Sequence, residues 1–142
     1  MDTIAATEVA TRLVESFNAA DWEAFRADID DDVVYLEAGT GRRIEGADAY
    51  LELCRGWREA LPDVRGTVRR SLEGGHVSAL EVHWEGTHDG PLPTPEGTIP
   101  PTGRRVGIEA TLWTEVRDGV VVEVHHHLDV MALMAQIGAL TS

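Results

Sequence analysis

The clearest structural signal in the chain lies in residues 105–129, which read RVGIEATLWTEVRDGVVVEVHHHLD. Two runs rich in β-branched and aromatic residues, 105–116 and 120–129, are separated by the dipeptide Asp118-Gly119. Asp-Gly is suited to the positive φ angles of a tight hairpin turn. The stretch therefore predicts two antiparallel strands joined by a short turn.

Two further strands are predicted upstream, at 67–72 and 77–87, on either side of the turn signal Gly74-Gly75. Residues 89–103 contain five prolines, and a proline has no amide hydrogen to contribute to a central strand. We therefore expect four antiparallel neighbours in the second half of the chain. The proline-rich segment is predicted to be a loop over a pocket.

Apolar residues recur at helical spacing near the start of the chain and predict an amphipathic helix over roughly residues 3–19. Asp21 is a suitable N-cap for a second helix over residues 22–29, in which Trp22, Phe25 and Ile29 share a face. The stripe of the first helix consists of Ala6, Val9, Ala10, Leu13, Val14 and Phe17.

The middle of the chain predicts a strand, a loop and a helix in succession. The strand covers 33–37, glycines bracket a loop over 39–46, and apolar spacing predicts a helix over 50–61 that ends at Pro62. A short closing helix over 131–137 is expected to stop at the following glycine.

Helices first and hairpin-linked strands afterwards is the order expected of an α+β domain. We expect residues 1–142 to form a single domain, because this length is typical of one hydrophobic core. The N-terminal helices would pack on one face of a curved antiparallel sheet. The space between helices and sheet is a usual place for a small apolar ligand.

Composition excludes several partner classes. The formal net charge of -13 predicts repulsion from phosphate backbones and anionic lipids, so we expect neither nucleic acid nor membrane as a partner. The first residues lack the cationic start and apolar run of an export signal, which favours a cytoplasmic protein. The single cysteine, Cys54, is interpreted as a buried thiol.

Five segments resemble the SnoaL-like polyketide cyclases, a family related in fold to nuclear transport factor 2. They follow one another in the family's order through the second half of the chain. The segments are LPD at 61–63, EGTHDG at 85–90, IPPTGRRV at 99–106, DGVVVE at 118–123 and DVMALMAQIG at 129–138.

The resemblance implies a cone-shaped NTF2-like fold and an aldol cyclisation of a polyketide substrate without metal or cofactor. It also implies that Asp129 points into the pocket and acts there as general acid/base, which would place His127 and His125 in the same cavity. Aldol closure needs a base for an activated C–H and an acid for the developing alkoxide, and a desolvated carboxyl can supply both. Alternatively, Asp129 caps the final helix.

The last predicted strand has two faces, because side chains alternate across a pleat. The polar face carries Glu123, His125, His127 and Asp129. The other face carries Val122, Val124, His126 and Leu128. If Asp129 points into the pocket as the resemblance implies, the polar face lines that pocket.

The histidine triplet 125–127 has three interpretations. The histidines could bond to neighbours at a sheet edge or dimer contact, or His127 or His125 could orient Asp129 or shuttle its proton. Two histidines and a carboxylate on one face also resemble a metal site, although the family uses no metal. Further candidates for substrate binding are Glu109, Trp113, Glu115, His83, Tyr35 and Trp57.

The functional hypothesis is a cofactor-independent polyketide cyclase that binds a hydrophobic small molecule. One alternative is a non-catalytic binder, because the Gln and His of known cyclases are replaced near Trp113 and Glu115. Others are an isomerase, or an epoxide hydrolase that would pair Asp129 with Arg55 or Arg58. A homodimer is also expected, because Val122, Val124 and Leu128 would leave an apolar sheet face for a partner.

Overall fold

The computed structural model describes residues 5–140 and shows helices on one side of a six-stranded sheet. Within these residues no helix is long and apolar enough to cross a membrane. The elements are α1 (Ala6–Ala19), α2 (Trp22–Ala27), β1 (Ile29–Glu37), β2 (Arg42–Glu45), α3 (Ala47–Ala60), β3 (Arg65–Gly74), β4 (Val77–Thr87), β5 (Leu92–Thr94), β6 (Gly97–Ile99), β7 (Arg105–Arg117), β8 (Val120–Leu128) and α4 (Val130–Gln136).

The sheet has the order β2-β1-β8-β7-β4-β3. The predicted antiparallel row of four strands, β3, β4, β7 and β8, is confirmed. Asp118 and Gly119 both have positive φ, 52° and 79°, at the predicted turn between β7 and β8. On its other side β8 pairs in parallel with β1, so the first strand of the chain lies beside the last.

The apolar stripe predicted for the first helix is buried along α1, and α1 packs against β3, β4 and β7. The predicted start of this helix, at about residue 3, lies outside the described residues. Phe17, at the end of this stripe, contacts the Trp84 ring edge-to-face at a centroid distance of 5.2 Å. Helices thus cover one face of a curved, mostly antiparallel sheet, and the α+β prediction is confirmed.

The second helix is shorter than predicted. It ends at Ala27, and Ile29 begins β1, where it is buried and pairs with Val121. Pairing between β1 and β8 is irregular from Ile29 to Val34, and this irregularity leaves Asp31 and Asp32 exposed. The acidic triplet Asp30-Asp31-Asp32 therefore lies within a strand, because Ile29 and Val34 on either side of it pair with β8.

Two segments predicted as loops contain short strands. Residues 42–45 form β2, which pairs with β1, and residues 92–99 form the separate β5–β6 hairpin. β5 packs against α3, and none of residues 89–103 lines the apolar cavity between the helices and the sheet. The expected loop over the pocket is therefore absent from this part of the described chain.

The apolar face of β8 points inward, which corrects the predicted dimer surface. Val124 is buried in the core, with 1% of its surface exposed, and Leu128 packs against this core. Val122 lies at a bulge, where the pairing with β7 shifts between Glu115 and Val116. The helices cover this face because burial of its apolar side chains is favourable. Association of two copies stays a prediction.

Gly66 on β3 lies directly beneath the ring of Trp84, its cross-strand partner on β4. A Cβ at Gly66 would lie 2.5 Å from Cζ3 of Trp84. We expect Gly66→Ala to lower the free energy of unfolding by about 1–3 kcal/mol through overpacking. The control is Gly74→Ala on the same strand, where a Cβ meets no atom within 4 Å. Urea denaturation that shows equal losses for both variants would contradict this packing.

Candidate functional site

A cavity of about 90 Å³ lies between the helices and the inner face of the sheet. Its walls are mainly apolar and aromatic, with Leu13 and Phe17 from α1, Trp57 from α3 and Trp84 from β4 among them. Among the described residues Glu85 is the one carboxylate on the wall, and its side chain is 41% exposed beside Arg105 and His83. No Lys, Arg or Asp lines the cavity within the described residues.

A chain of hydrogen bonds runs from this wall into the sheet. The Tyr35 hydroxyl donates to Oε2 of Glu37 at 2.6 Å and lies 2.7 Å from Nδ1 of His126. Tyr35 and His126 both line the cavity, whereas Glu37 is 1% exposed. The parallel pairing of β1 with β8 brings these side chains together, since Glu37 lies opposite His126.

The buried Glu37 carboxylate accepts hydrogen bonds from several groups. Besides Tyr35, the Thr40 hydroxyl donates to Oε1 at 2.6 Å and the Arg42 guanidinium at 3.3 Å. Arg42 on β2 also forms the ion pair with this carboxylate. A carboxylate only accepts hydrogen bonds, so two hydroxyl donors and one cation match the oxygens of Glu37.

These bonds determine the tautomer of His126. The Tyr35 hydroxyl has one hydrogen, which it gives to Glu37, so it must accept a hydrogen from Nδ1 of His126. Nε2 of the neutral ring then carries a lone pair. Within residues 5–140 that buried Nε2 has no hydrogen-bond partner. The arrangement orients an imidazole base by its other nitrogen, as in catalytic sites that use histidine.

Burial lowers the pKa of His126 to about 4, despite the opposing attraction of Glu37; the nearby His127 lowers it further. Burial, with Glu37 as a second cause, raises the pKa of Tyr35 well above its ordinary value. At neutral pH the imidazole is therefore unprotonated and the phenol keeps its hydrogen. The base form of His126 is the one present in the cavity.

The structure places Asp129 and His127 outside this cavity. Oδ1 of Asp129 accepts a hydrogen bond from the Ala132 amide at 3.0 Å, so Asp129 is the N-cap of α4. His127 is exposed on the outer face of β8. The prediction that the polar face lines the pocket is wrong, because Val124, His126 and Leu128 on the other face line it.

The remaining predicted site residues divide between the two sides of the sheet. Tyr35 and Trp57 line the cavity, as expected for substrate-binding candidates. The others lie on the outer face, where several of them contact charged neighbours and Trp113 is 49% exposed. His83 is hydrogen-bonded to Glu109 at 2.7 Å, His125 lies 3.6 Å from Glu123, and Glu115 forms an ion pair with Arg117 at 2.8 Å.

Sequence reasoning missed His126, Glu37 and Trp84 as site residues. The available signal for His126 is its position in an otherwise apolar row with Val124 and Leu128, since a polar residue in such a row is informative.

Across the described range no group of three or more His, Cys, Asp or Glu side chains is arranged to hold a metal ion.

The Tyr35 hydroxyl holds two buried groups at once. Tyr35→Phe would leave Oε2 of Glu37 and Nδ1 of His126 without this partner, and we expect a loss of roughly 2–4 kcal/mol in the free energy of unfolding. Tyr50→Phe is the matched control, because the Tyr50 ring stacks on Tyr35 at 5.0 Å but its hydroxyl is outside the network. Equal losses in thermal or urea unfolding would show that the hydroxyl of Tyr35 has no special role.

His126 also makes stability depend on pH. Its pKa falls from 6.5 in the unfolded chain to about 4 in the folded one, so only the unfolded chain takes up its proton between these values. Its contribution to stability is therefore complete above pH 6.5 and is lost as the pH falls through 4, by on the order of 3 kcal/mol. The His126→Asn variant should not lose this stability as the pH falls, because it has no imidazole to protonate. Curves of unfolding free energy against pH that run parallel for wild type and His126→Asn would contradict this prediction.

Comparison with known proteins agrees with the fold. A proposed SnoaL-like polyketide cyclase from Jannaschia sp. CCS1 is 20% identical with a TM-score of 0.85, and the match covers 99% of this chain and 98% of that one. The proposed polyketide cyclase IdmH from Streptomyces antibioticus is 27% identical with a TM-score of 0.79, and the match covers 94% of this chain and 98% of that one. A proposed ketosteroid isomerase from Kribbella flavida DSM 17836 is 24% identical with a TM-score of 0.67, and the match covers 87% of this chain and 77% of that one.

The sequence itself gives a family match. No curated protein matches the chain in sequence. The family model described as SnoaL-like polyketide cyclase matches residues 7–137, which is nearly the whole chain and includes every element from β1 to α4. The resemblance noted in the second half of the sequence is confirmed over this longer range. The chain belongs to the SnoaL-like polyketide cyclase family.

Proposed function

We propose that this protein is an acid/base enzyme of the cyclase or isomerase type, which acts on a polyketide-like carbonyl compound in the cavity. The observation that carries the proposal is the oriented His126. Its Nδ1 is held by the Tyr35 hydroxyl, which is in turn bonded to Glu37, and its Nε2 has no partner within the described chain. Family membership supports the same reaction class.

In the proposed reaction Nε2 of His126 takes a proton from a carbon next to the substrate carbonyl. The C–H bond breaks, an N–H bond forms, and the electron pair moves to the carbonyl oxygen. The resulting imidazolium is stabilised by the Tyr35 oxygen and by the negative charge of Glu37. The low pKa of His126 keeps the base free at neutral pH, and Glu37 offsets part of the cost of its protonation.

Ring closure follows if the carbanion attacks a second carbonyl of the same molecule. A C–C bond forms, and the imidazolium returns its proton to the new alkoxide oxygen. Return of the proton to another carbon instead gives an isomerisation. Neither route gains or loses a proton overall, so one base that takes up a proton and returns it in each cycle is sufficient.

An epoxide hydrolase has little support from the geometry. The predicted site for that reaction pairs Asp129 with Arg55 or Arg58, and neither Asp nor Arg side chains line the cavity in the described residues. Arg58 donates to the backbone carbonyls of Phe17 and Asn18, and Arg55 lies over the Trp22 ring. Both arginines therefore have structural contacts away from the cavity.

Turnover of a panel of polyketide substrates tests the proposal. His126→Asn keeps a side-chain amide near the Nδ1 position but removes Nε2, and we expect a 10²- to 10⁴-fold loss of kcat/KM. Asp129→Asn is the matched control, because asparagine caps a helix as well as aspartate does and removes only the charge. It should turn over substrate at the wild-type rate.

Loss of turnover in Asp129→Asn with wild-type turnover in His126→Asn would assign the base to Asp129, as the family resemblance implies. Substrate binding by wild type without turnover of any compound in the panel would indicate a non-catalytic binder. Isothermal titration alongside the kinetic assay separates these outcomes, since it reports binding to each variant independently of chemistry.

A further inference from the structure

Three buried nitrogen atoms without hydrogen-bond partners belong to residues of the cavity wall. They are Nε1 of Trp57, Nε1 of Trp84 and Nε2 of His126, and their partners are missing among the residues that the structure describes. An indole N–H can only donate, whereas Nε2 of the neutral His126 can only accept. Buried polar groups in folded proteins nearly always have partners, so each exception needs an explanation.

The two indole groups come from different walls of the cavity. Trp57 projects from α3, and Trp84 projects from β4. The six-membered ring of Trp84 covers Gly66, with Cε3, Cζ3 and Cη2 all close to the position of a Cβ there. Its Nε1 is therefore on the side of the indole away from β3. The Trp84 ring also lies 6.1 Å from the imidazole of His126, at 67°.

The charges around the cavity restrict the group that these donors can bind. With no Lys or Arg on the described wall, a buried anion would have no cation to offset its desolvation. Two neutral N–H groups match the two lone pairs of an uncharged carbonyl oxygen. They become more favourable partners when negative charge develops on that oxygen, because fixed donors act strongly in an apolar surrounding.

We propose that the indole N–H groups of Trp57 and Trp84 bind the substrate's carbonyl oxygen, beside the carbon that His126 deprotonates. This inference rests on the proposed function for the role of His126, but the oxygen site itself does not require turnover. When the C–H bond breaks and Nε2–H forms, the electron pair that reaches the oxygen is stabilised by these two donors. Trp57 and Trp84 thereby determine which carbonyl of a polyketide is activated.

The test uses 1-tetralone, a bicyclic ketone, and tetralin, the matching hydrocarbon without the oxygen. The chain has four tryptophans, so nitrogen-15 NMR of the labelled wild-type protein shows each indole N–H separately after assignment with single Trp→Phe variants. We expect 1-tetralone to move the Trp57 and Trp84 indole protons downfield. Trp22 and the exposed Trp113, which do not line the cavity, serve as internal controls.

Affinity measurements add a second readout. Trp84→Phe and Trp57→Phe should each weaken 1-tetralone binding about 2- to 10-fold more than tetralin binding, which is the effect of one hydrogen bond. Trp113→Phe should change neither affinity. Equal weakening for the two ligands, identical indole shifts with both, or no binding of 1-tetralone would overturn the proposal.

His126→Asn separates this proposal from the proposed function. If the oxygen site is correct, this variant still shows the downfield indole shifts with 1-tetralone, whether or not it has lost turnover. If the shifts are present but His126→Asn retains full activity, the role of His126 fails and the oxygen site stands. If the shifts are missing while His126→Asn is inactive, the oxygen site fails alone.

Discussion

The packing of α1 against the inner face of β3, β4 and β7 determines which side of the sheet is buried. The stripe of α1 and the apolar rows of the strands remove each other from water, and this is the main favourable contribution to such a fold. Once that side is fixed, strand alternation beyond the bulge at Val122 assigns the side chains of residues 123–128 to the inner or the outer face of the sheet. His126 is inside for this reason, and His125 and His127 are outside.

Local patterns predicted most of the elements but not the side of β8 that faces the cavity. The stripe of α1, the β7–β8 turn and the alternation along β8 follow from short-range spacing, and the structure contains all three. The cavity face was assigned from the expected position of Asp129, although Val124 and Leu128 favoured the opposite face. Partners distant in sequence could not be predicted, as in the pairing of Ile29 with Val121.

The site combines an apolar wall with a buried charge. Replacing buried ion pairs by apolar groups often leaves stability unchanged or improves it, so the Glu37 and Arg42 pair is weak grounds for stability alone. The position of the Glu37–Arg42 pair explains its presence better than stability does. Glu37 holds the Tyr35 hydroxyl in one orientation, and that hydroxyl selects one tautomer of His126. The buried charge thus defines the protonation of a group that it does not touch.

The parallel pairing of β1 with β8 also has a consequence for how the protein folds. Tyr35 and His126 are 91 residues apart, whereas β3 with β4 and β7 with β8 are joined by short turns. Contacts between distant segments require closure of a long loop and form more slowly than local ones. We expect the hairpins to form first and the His126 network to assemble late. A newly made chain would then have most of its sheet before Tyr35 and His126 meet.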